Sequence, residues 1–424
     1  MLEAIMDRRN LEKALVRVIG NKGSAGIDGM QTDELRDFLN TSYQELRRMV
    51  VEGKYPPNPV RKVEIPKPQG GKRMLGIPTV LDRLLQQAIS QWLSQFYEPH
   101  FSAHSYGFRP NRSAHQAVKH AQALLNEGCT WVIELDLEKF FDCVNHDKLM
   151  SLLNLKVKDK GTLQLIHRYL RSGIMEGGLV SQRTEGTPQG SPLSPLLSNI
   201  LLHELDKELA QRGHRFVRYA DDCSIYVKSE KAAYRVLRSV TRYLEDCLLL
   251  KVNKEKSKVS RPFNSYLLGF SFYAKKGEWQ VRIAAKSQRR IREKCKVITK
   301  RNNGLNLKRR IEKLQPIILG WVNYFLIAKA KSSLRGLDEY IKTRLRMGIW
   351  REWKNCKTRI ANLMKLGVRR HKAYEWGYTS KGYCRIAHSP ILCTTLTNAY
   401  FARKGYEGFY ARYQRLTETQ LTLF

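Results

Sequence analysis

Acidic residues are scarce in this chain: 39 Asp and Glu stand against 75 Lys and Arg over 424 residues, a formal net charge of +36. That excess goes far beyond what solubility requires and points to a polyanionic partner, with nucleic acid first. An anionic membrane ranks behind it, because the basic residues spread along the whole chain instead of gathering beside a lipid-seeking segment. Long apolar runs are missing too. The most hydrophobic stretch, Ile317 to Ala328, is too short to span a bilayer and is interrupted by Asn323, so it reads as a buried helix. Met1 to Asn10 already carries Glu3, Asp7, Arg8 and Arg9 and has no apolar signal core, so secretion is not expected. Cysteine is sparse: eight residues (129, 143, 223, 247, 295, 356, 384 and 393) form no Cys-x-x-Cys pair and no Cys/His spacing suited to zinc. Reduced thiols in a cytosolic protein are the expectation. No repeat of convincing period and no low-complexity tract is present.

What is there suffices for folding. With 42% hydrophobic and 10% aromatic residues, the chain can offset its conformational entropy, and its length suits two or three domains. Asn21 to Gly29 is a turn-rich loop feeding an amphipathic run from Thr32 to Leu39. Val60 to Ile65 and Met74 to Ile77 flank Pro68-Gln69-Gly70-Gly71, a hairpin signature. Val80 to Phe96 has apolar residues at helical spacing. Thr130 to Leu137 is β-branched and aromatic and reads as a buried strand ending at Asp136. Phe216 to Ala220 and Cys223 to Val227 are strand-like and separated only by Asp221-Asp222, a tight hairpin with acids at its tip. Between them Ser194-Pro195 opens a helix carrying Leu196, Leu197, Ile200, Leu201, Leu205 and Leu209. Beyond about residue 285 the pattern is almost wholly helical and strongly basic, from Arg289, Arg290, Arg292, Lys294 and Lys296 to Arg344, Arg346 and Arg351.

Adjacent carboxylates repel, which disfavours Asp221-Asp222 as mere structure unless a cation neutralises the pair. Read alone, an Asp-Asp turn is a solvated loop. Here it lies between two strands, with a strand-end Asp136 upstream, in a chain otherwise short of acid. Mg²⁺ favours such a set, because it takes a few carboxylates, water and phosphate oxygens. Lys67 and Arg73 flank the turn of the expected hairpin, where they can form a cationic clamp on a triphosphate or simply an exposed basic hairpin.

Five blocks occur in the order seen in one family. They are Ser105-Tyr106-Gly107-Phe108-Arg109-Pro110, Asp136-Leu137-Glu138-Lys139-Phe140-Phe141-Asp142, Thr187-Pro188-Gln189-Gly190, Tyr219-Ala220-Asp221-Asp222 and Leu268-Gly269-Phe270. From about residue 10 to 345, and more weakly to the end, the chain resembles group II intron-encoded reverse transcriptases. The resemblance implies an α+β right-hand polymerase: fingers and palm over 1–285 with an N-terminal extension to about 55, a basic helical thumb (the maturase X segment) over 286–350, and a small helical DNA-binding-like domain over 351–424.

It also implies RNA-directed DNA synthesis with two Mg²⁺ ions, in which the primer 3′-hydroxyl attacks the α-phosphate of a deoxynucleotide. Asp136, Asp221 and Asp222 would be catalytic and, with Leu137, the metal-binding positions. Lys67 and Arg73 would grip the triphosphate. Phe141 would sit under the sugar and exclude a ribose 2′-hydroxyl, unless Phe140 and Phe141 merely pack the core on opposite faces of a continuing strand. Gln189 would touch nucleotide or template base, although Gly190-Ser191 stands where the family often has Gly-Gly. Arg109 and Arg112 would lie near nucleotide or template, or serve as capping or ion-pairing residues. Arg289, Arg290, Arg292 and Lys294 would contact nucleic acid.

Group II intron RNA, an RNA template with a DNA primer, and target DNA are the implied partners, in a bacterial cytoplasmic ribonucleoprotein that splices and retrohomes. The His and Cys clusters of the family's nuclease domain are missing, so no endonuclease is expected. A host-adopted reverse transcriptase of defence or repair, and a maturase for which polymerase activity is secondary, remain open readings.

Overall fold

The computed structural model describes residues 1–66, 70–176, 178–182 and 184–421. The chain divides into two compact units, Met1–Ser265 and Tyr266–Phe424.

The first unit is built on two four-stranded sheets. One has the order β2-β1-β4-β5, with β1 (Val60–Pro66) antiparallel to β2 (Lys72–Ile77), parallel to β4 (Ile174–Glu176), and β5 (Leu179–Ser181) at the edge. The hairpin expected around Gly70-Gly71 is therefore present, in a register that pairs Ile65 with Arg73. The other sheet has the order β6-β7-β3-β8, from β3 (Trp131–Leu135), β6 (Arg215–Tyr219), β7 (Asp222–Val227) and β8 (Lys258–Ser260). Val132, Ile133 and Leu135 of β3 are buried, as are Cys223, Ile225 and Tyr226 of β7, which is why both read as apolar runs instead of alternating ones.

Helices cover this sheet. Ser194–Gln211 starts with Pro at its first turn and buries Leu196, Leu197, Ile200, Leu201, Leu202, Leu205 and Leu209. Glu230–Asp246 is capped by Ser229 and buries Ala233, Val236, Val240 and Leu244, one stripe at helical spacing. Both join one apolar core with Val80–Tyr97 and the N-terminal helices.

The strand stops at Leu135, one residue short of the expected end at Asp136. The strand does not run on to Phe141: Lys139 takes φ 46° and Phe140–Asp142 makes a single 3₁₀ turn. Sheet alternation therefore does not govern the two rings.

The acidic hairpin is held from beneath by a buried ion pair. Arg218 is fully buried, and its Nε and Nη2 donate to the two carboxylate oxygens of Asp206 at 2.7 and 2.6 Å. Its Nη1 donates to Asn199 Oδ1 and to the carbonyl of Ala220, both at 3.0 Å. Asn199 Nδ2 in turn donates to the Gly107 carbonyl at 2.9 Å. One guanidinium thus ties the Ser194–Gln211 helix, the hairpin tip and the Ser105–Pro110 loop together.

The second unit opens with a hairpin that the sequence reading grouped with the first domain. Phe270–Lys275 (β9) pairs with Glu278–Ile283 (β10) around Lys276-Gly277, both at positive φ, the two-residue turn that matches strand twist. Helices follow to the end of the described residues. The long helix Lys331–Glu352 receives the C-terminal segment through buried Asp338, whose carboxylate accepts from Tyr406 Oη and from the Phe409 and Tyr410 amides, each at 2.8 Å. Among the described residues no helix is long and apolar enough to cross a membrane.

Removing one partner of the buried pair leaves an uncompensated charge in a dry site. Asp206→Ala is expected to destabilise the protein by about 3–5 kcal/mol in chemical denaturation, and the double change Asp206→Leu with Arg218→Met to recover much of that loss.

Candidate active site

The first unit contains an open cavity of about 1190 Å³ between the two sheets. Asp136 and Leu137 enter it from the end of β3, Asp221 from the β6–β7 tip, Arg73 from β2, Phe141 from the 3₁₀ turn and Gln189 from the loop ahead of the Ser194–Gln211 helix. Residues spread over more than 140 positions of sequence thus share one space.

Each is positioned by its own local rule. The Asp136 amide donates to Ser257 Oγ at 3.0 Å and its carbonyl accepts from the Asn253 amide at 2.8 Å, so the segment leading into β8 fixes its backbone. Its Oδ1 lies 3.8 Å from Lys256 Nζ. Asp221 sits in a two-residue turn, with Tyr219 and Asp222 paired across the hairpin and Ala220 at φ 57°. A left-handed alanine is uncommon, and the Arg218 bond to its carbonyl holds it there. Gly107 has to be glycine at this contact: a Cβ on it would lie 2.1 Å from the Ala220 nitrogen.

The Thr187–Gly190 loop is fastened to β2. The Gly76 amide donates to the Gln189 carbonyl at 2.9 Å, and Gly190, at φ 121°, approaches so closely that a Cβ would lie 2.9 Å from the Gly76 oxygen. Gln189 Oε1 accepts from Arg73 Nε at 2.7 Å, which locks the amide group so that its NH₂ is the end left for another partner. Ser191, in place of a second glycine, is buried and donates to Gln86 Oε1 at 2.6 Å. Its hydroxyl also accepts from the Leu193 amide at 3.2 Å, so this departure from Gly-Gly organises the helix start.

The three acids do not have equal surroundings. Burial raises the Asp221 carboxyl above its usual range; Arg73 and Arg218 pull it down and Asp136 pushes it up. Asp222 is pushed up to about 6, by burial first and then by the charges of Asp221, Asp136 and Glu134. Asp222 is not among the residues lining the cavity. It begins β7, two residues from Ser224, which is registered opposite Glu134. Asp136 and Asp221 line the cavity.

Among the described residues no group of three or more His, Cys, Asp or Glu side chains is placed to hold a metal ion by itself. Two carboxylates facing one cavity, with a third adjacent in sequence, still form a donor set that fits Mg²⁺, an ion that completes its shell with water and substrate phosphates instead of an all-protein cage.

Phe141 and Phe140 differ in burial. Phe140 is buried, and Phe141, half-buried, meets it edge-on at 5.2 Å while lining the cavity. Lys67 lies outside the described residues, so only the Arg73 half of the expected clamp is placed here. Arg109 is not brought to the cavity. Its guanidinium is buried against Glu98 at 2.8 Å and donates to the carbonyls of Ser102 and Ser105, the ion-pairing alternative. Arg112 is exposed, 5.6 Å from the Tyr106 ring centre. Arg289, Arg290, Arg292 and Lys294 are exposed on the helix Ala285–Ile298 of the second unit, with Arg292 packed over Tyr340 at 4.1 Å.

Sequence reasoning missed Lys62 and Lys256, both lining the cavity, and missed Arg218 beneath it. For Arg218 a signal existed: an arginine inside an otherwise apolar strand needs a buried partner.

The family described as "Reverse transcriptase (RNA-dependent DNA polymerase)" matches residues 65–300, and "Group II intron, maturase-specific domain" matches residues 288–367. The chain is similar to Protein YkfC of Escherichia coli, 33% identical over 66% of this chain and 84% of that protein. It is similar to the group II intron-encoded protein LtrA of Lactococcus lactis, 37% identical over 58% of this chain. The match spans 40% of LtrA, well under half of that protein's length. A solved chain of a partial Cas6-RT-Cas1–Cas2 complex aligns over 58% of this chain and 42% of its own at 23% identity with a TM-score of 0.35, too distant to bear on the reading.

A carboxyl whose folded value lies above the unfolded 3.8 opposes folding when ionised, and that opposition fades as pH falls through about 6 toward 4. Asp222→Asn is therefore expected to raise the thermal midpoint of the metal-free protein at pH 8, with the gain vanishing by pH 4; scanning calorimetry in chelator at the two pH values reads the difference.

Proposed function

The chain belongs to the reverse transcriptase family, in its group II intron-encoded branch, and from that premise we propose that it copies RNA into DNA with two Mg²⁺ ions and binds a group II intron RNA to assist its splicing and retrohoming. The observation that carries the polymerase reading is the convergence of Asp136, Asp221, Arg73 and Gln189 on one cavity. The excess of 75 basic over 39 acidic residues supports a long nucleic-acid partner.

In this reading Asp136 and Asp221, with the Leu137 carbonyl, hold the cations, and Asp222 supplies further negative charge beside them. When bound, such ions neutralise charge at the attacking and leaving oxygens of an in-line displacement. Arg73, with Lys67 from the same hairpin, grips the triphosphate, a planar charge-assisted contact suited to phosphate. Gln189, its carbonyl end engaged by Arg73, offers its NH₂ to the nucleotide or the template base. In this reading the Phe141 ring, which lines the cavity, excludes a ribose 2′-hydroxyl. Residues 1–285 serve as fingers and palm, 286–350 as thumb and 351–424 as the segment that meets target DNA, in a cytoplasmic ribonucleoprotein. The basic helix carrying Arg289, Arg290, Arg292 and Lys294 contributes phosphate contacts, which position a duplex without reading its sequence.

Primer extension on RNA and DNA templates with Mg²⁺ tests reaction, template and sugar choice together. Asp221→Ala is expected to abolish extension while RNA affinity stays within about two-fold; surviving extension sinks the acid assignment. Arg73→Ala should raise the KM for deoxynucleotides by about 10–100-fold, the worth of a charge-assisted contact. With Phe141→Ala, ribonucleotide incorporation should rise; unchanged selectivity returns that ring to the core.

A further inference from the structure

The second unit contains a cavity of about 510 Å³ that the polymerase reading does not use. It lies between the helices Ala285–Ile298 and Leu307–Phe325, and its wall on the second of these is the row Pro316, Gly320 and Tyr324, with Trp321 beside it. Residues four apart share a helix face. Proline and glycine are the residues least favourable to a helix interior, because one removes an amide donor and the other costs backbone entropy. Both stand here on the same face, and nothing lies within 4 Å of where a Gly320 Cβ would be. Pro316 and Gly320 are both exposed, so this face of the helix carries little side-chain bulk toward the cavity.

The space has a definite chemistry. Trp321 and Tyr324 are its aromatic side, and the Tyr324 ring is held by its hydroxyl, which donates to the Leu268 carbonyl at 2.8 Å. Arg290 and Lys294, one turn apart and exposed, bring two positive charges to the rim, and no carboxylate is among the lining residues. The volume falls in the range of small-ligand sites. An aromatic slot with a cationic rim complements a flat apolar body joined to an anion.

We propose that this cavity takes one unstacked nucleotide of a bound RNA, its base against Trp321 and Tyr324 and its phosphate at Arg290 and Lys294. Base–aromatic stacking is sequence-tolerant, since every base has a π-face, and the cations add affinity for the backbone. The site therefore selects for an extrahelical base, not for a base identity. It goes beyond duplex binding by the basic helices and rests on the proposed function only in that the chain meets RNA.

The test uses the full chain and two RNA hairpins that differ by a single bulged adenosine. The bulged hairpin should bind about ten-fold more tightly than the paired one in fluorescence anisotropy. Gly320→Leu, which fills the cavity, should abolish that preference. Gly320→Ala, which stabilises the helix but leaves most of the space, should retain it, and Lys294→Gln should reduce it. Equal affinity of the unaltered protein for both hairpins, or a preference that survives Gly320→Leu, overturns the proposal. Primer extension on the same preparations separates the two readings: its retention in Gly320→Leu shows an intact fold and polymerase site, and its absence from the unaltered protein would sink the polymerase reading while leaving the hairpin preference to be judged alone.

Discussion

The ion pair between Arg218 and Asp206 is the interaction on which the geometry of the acidic hairpin depends. Both side chains are fully buried, so neither charge can be left without the other at tolerable cost. The guanidinium is planar and carries five donors in a fixed fork, and here that fork is spent on a carboxylate, an amide oxygen and the Ala220 carbonyl. A lysine could satisfy the charge but not the three directions. Because Asp206 and Asn199 stand on one helix, the hairpin tip inherits the rigidity of that helix and of the core beneath it. Asp221 can then occupy a strained turn beside other acids without the loop relaxing away from them.

That arrangement sets positive structure under negative function. Burial first, and then repulsion from neighbouring acids, raises the Asp221 and Asp222 carboxyls. The opposing charges are distributed: Arg218 below, Arg73 across the cavity and Lys256 at 3.8 Å from Asp136. None of the three is a close partner that would cancel the carboxylates outright. In the proposed reading the site keeps a demand for cations, while the chain as a whole, at +36, attracts the polyanion on which they act.

Much of this was legible in order along the chain. β-branched and aromatic runs located β3, β6 and β7, the Pro195 signal placed the helix start, and the two-residue spacing of Asp221-Asp222 between strands announced a hairpin tip. Local patterns reveal these because propensity and burial act over a few residues. Two local features were not legible there: Phe140 and Phe141 take a 3₁₀ turn, and the hairpin Phe270–Ile283 lies in the second compact unit. Strand ends and domain edges depend on what packs against them, which a short window does not contain.

What the sequence determined by itself was the inventory: a basic chain, an acidic hairpin, a strand-end Asp136, and five ordered blocks with one family's spacing. Tertiary structure decided the use of each part. It turned Arg109 inward to Glu98, separated Phe141 from Phe140, left Asp222 out of the cavity lining and brought Asp136 and Asp221 to its wall. It also left Gly320 exposed, with open space at its Cβ position, inside the stretch Ile317 to Ala328 that reads as a buried helix. The reason is physical: residue type sets which interactions a side chain can make, but burial and the direction of approach decide which one it makes, and both are properties of distant segments meeting in space.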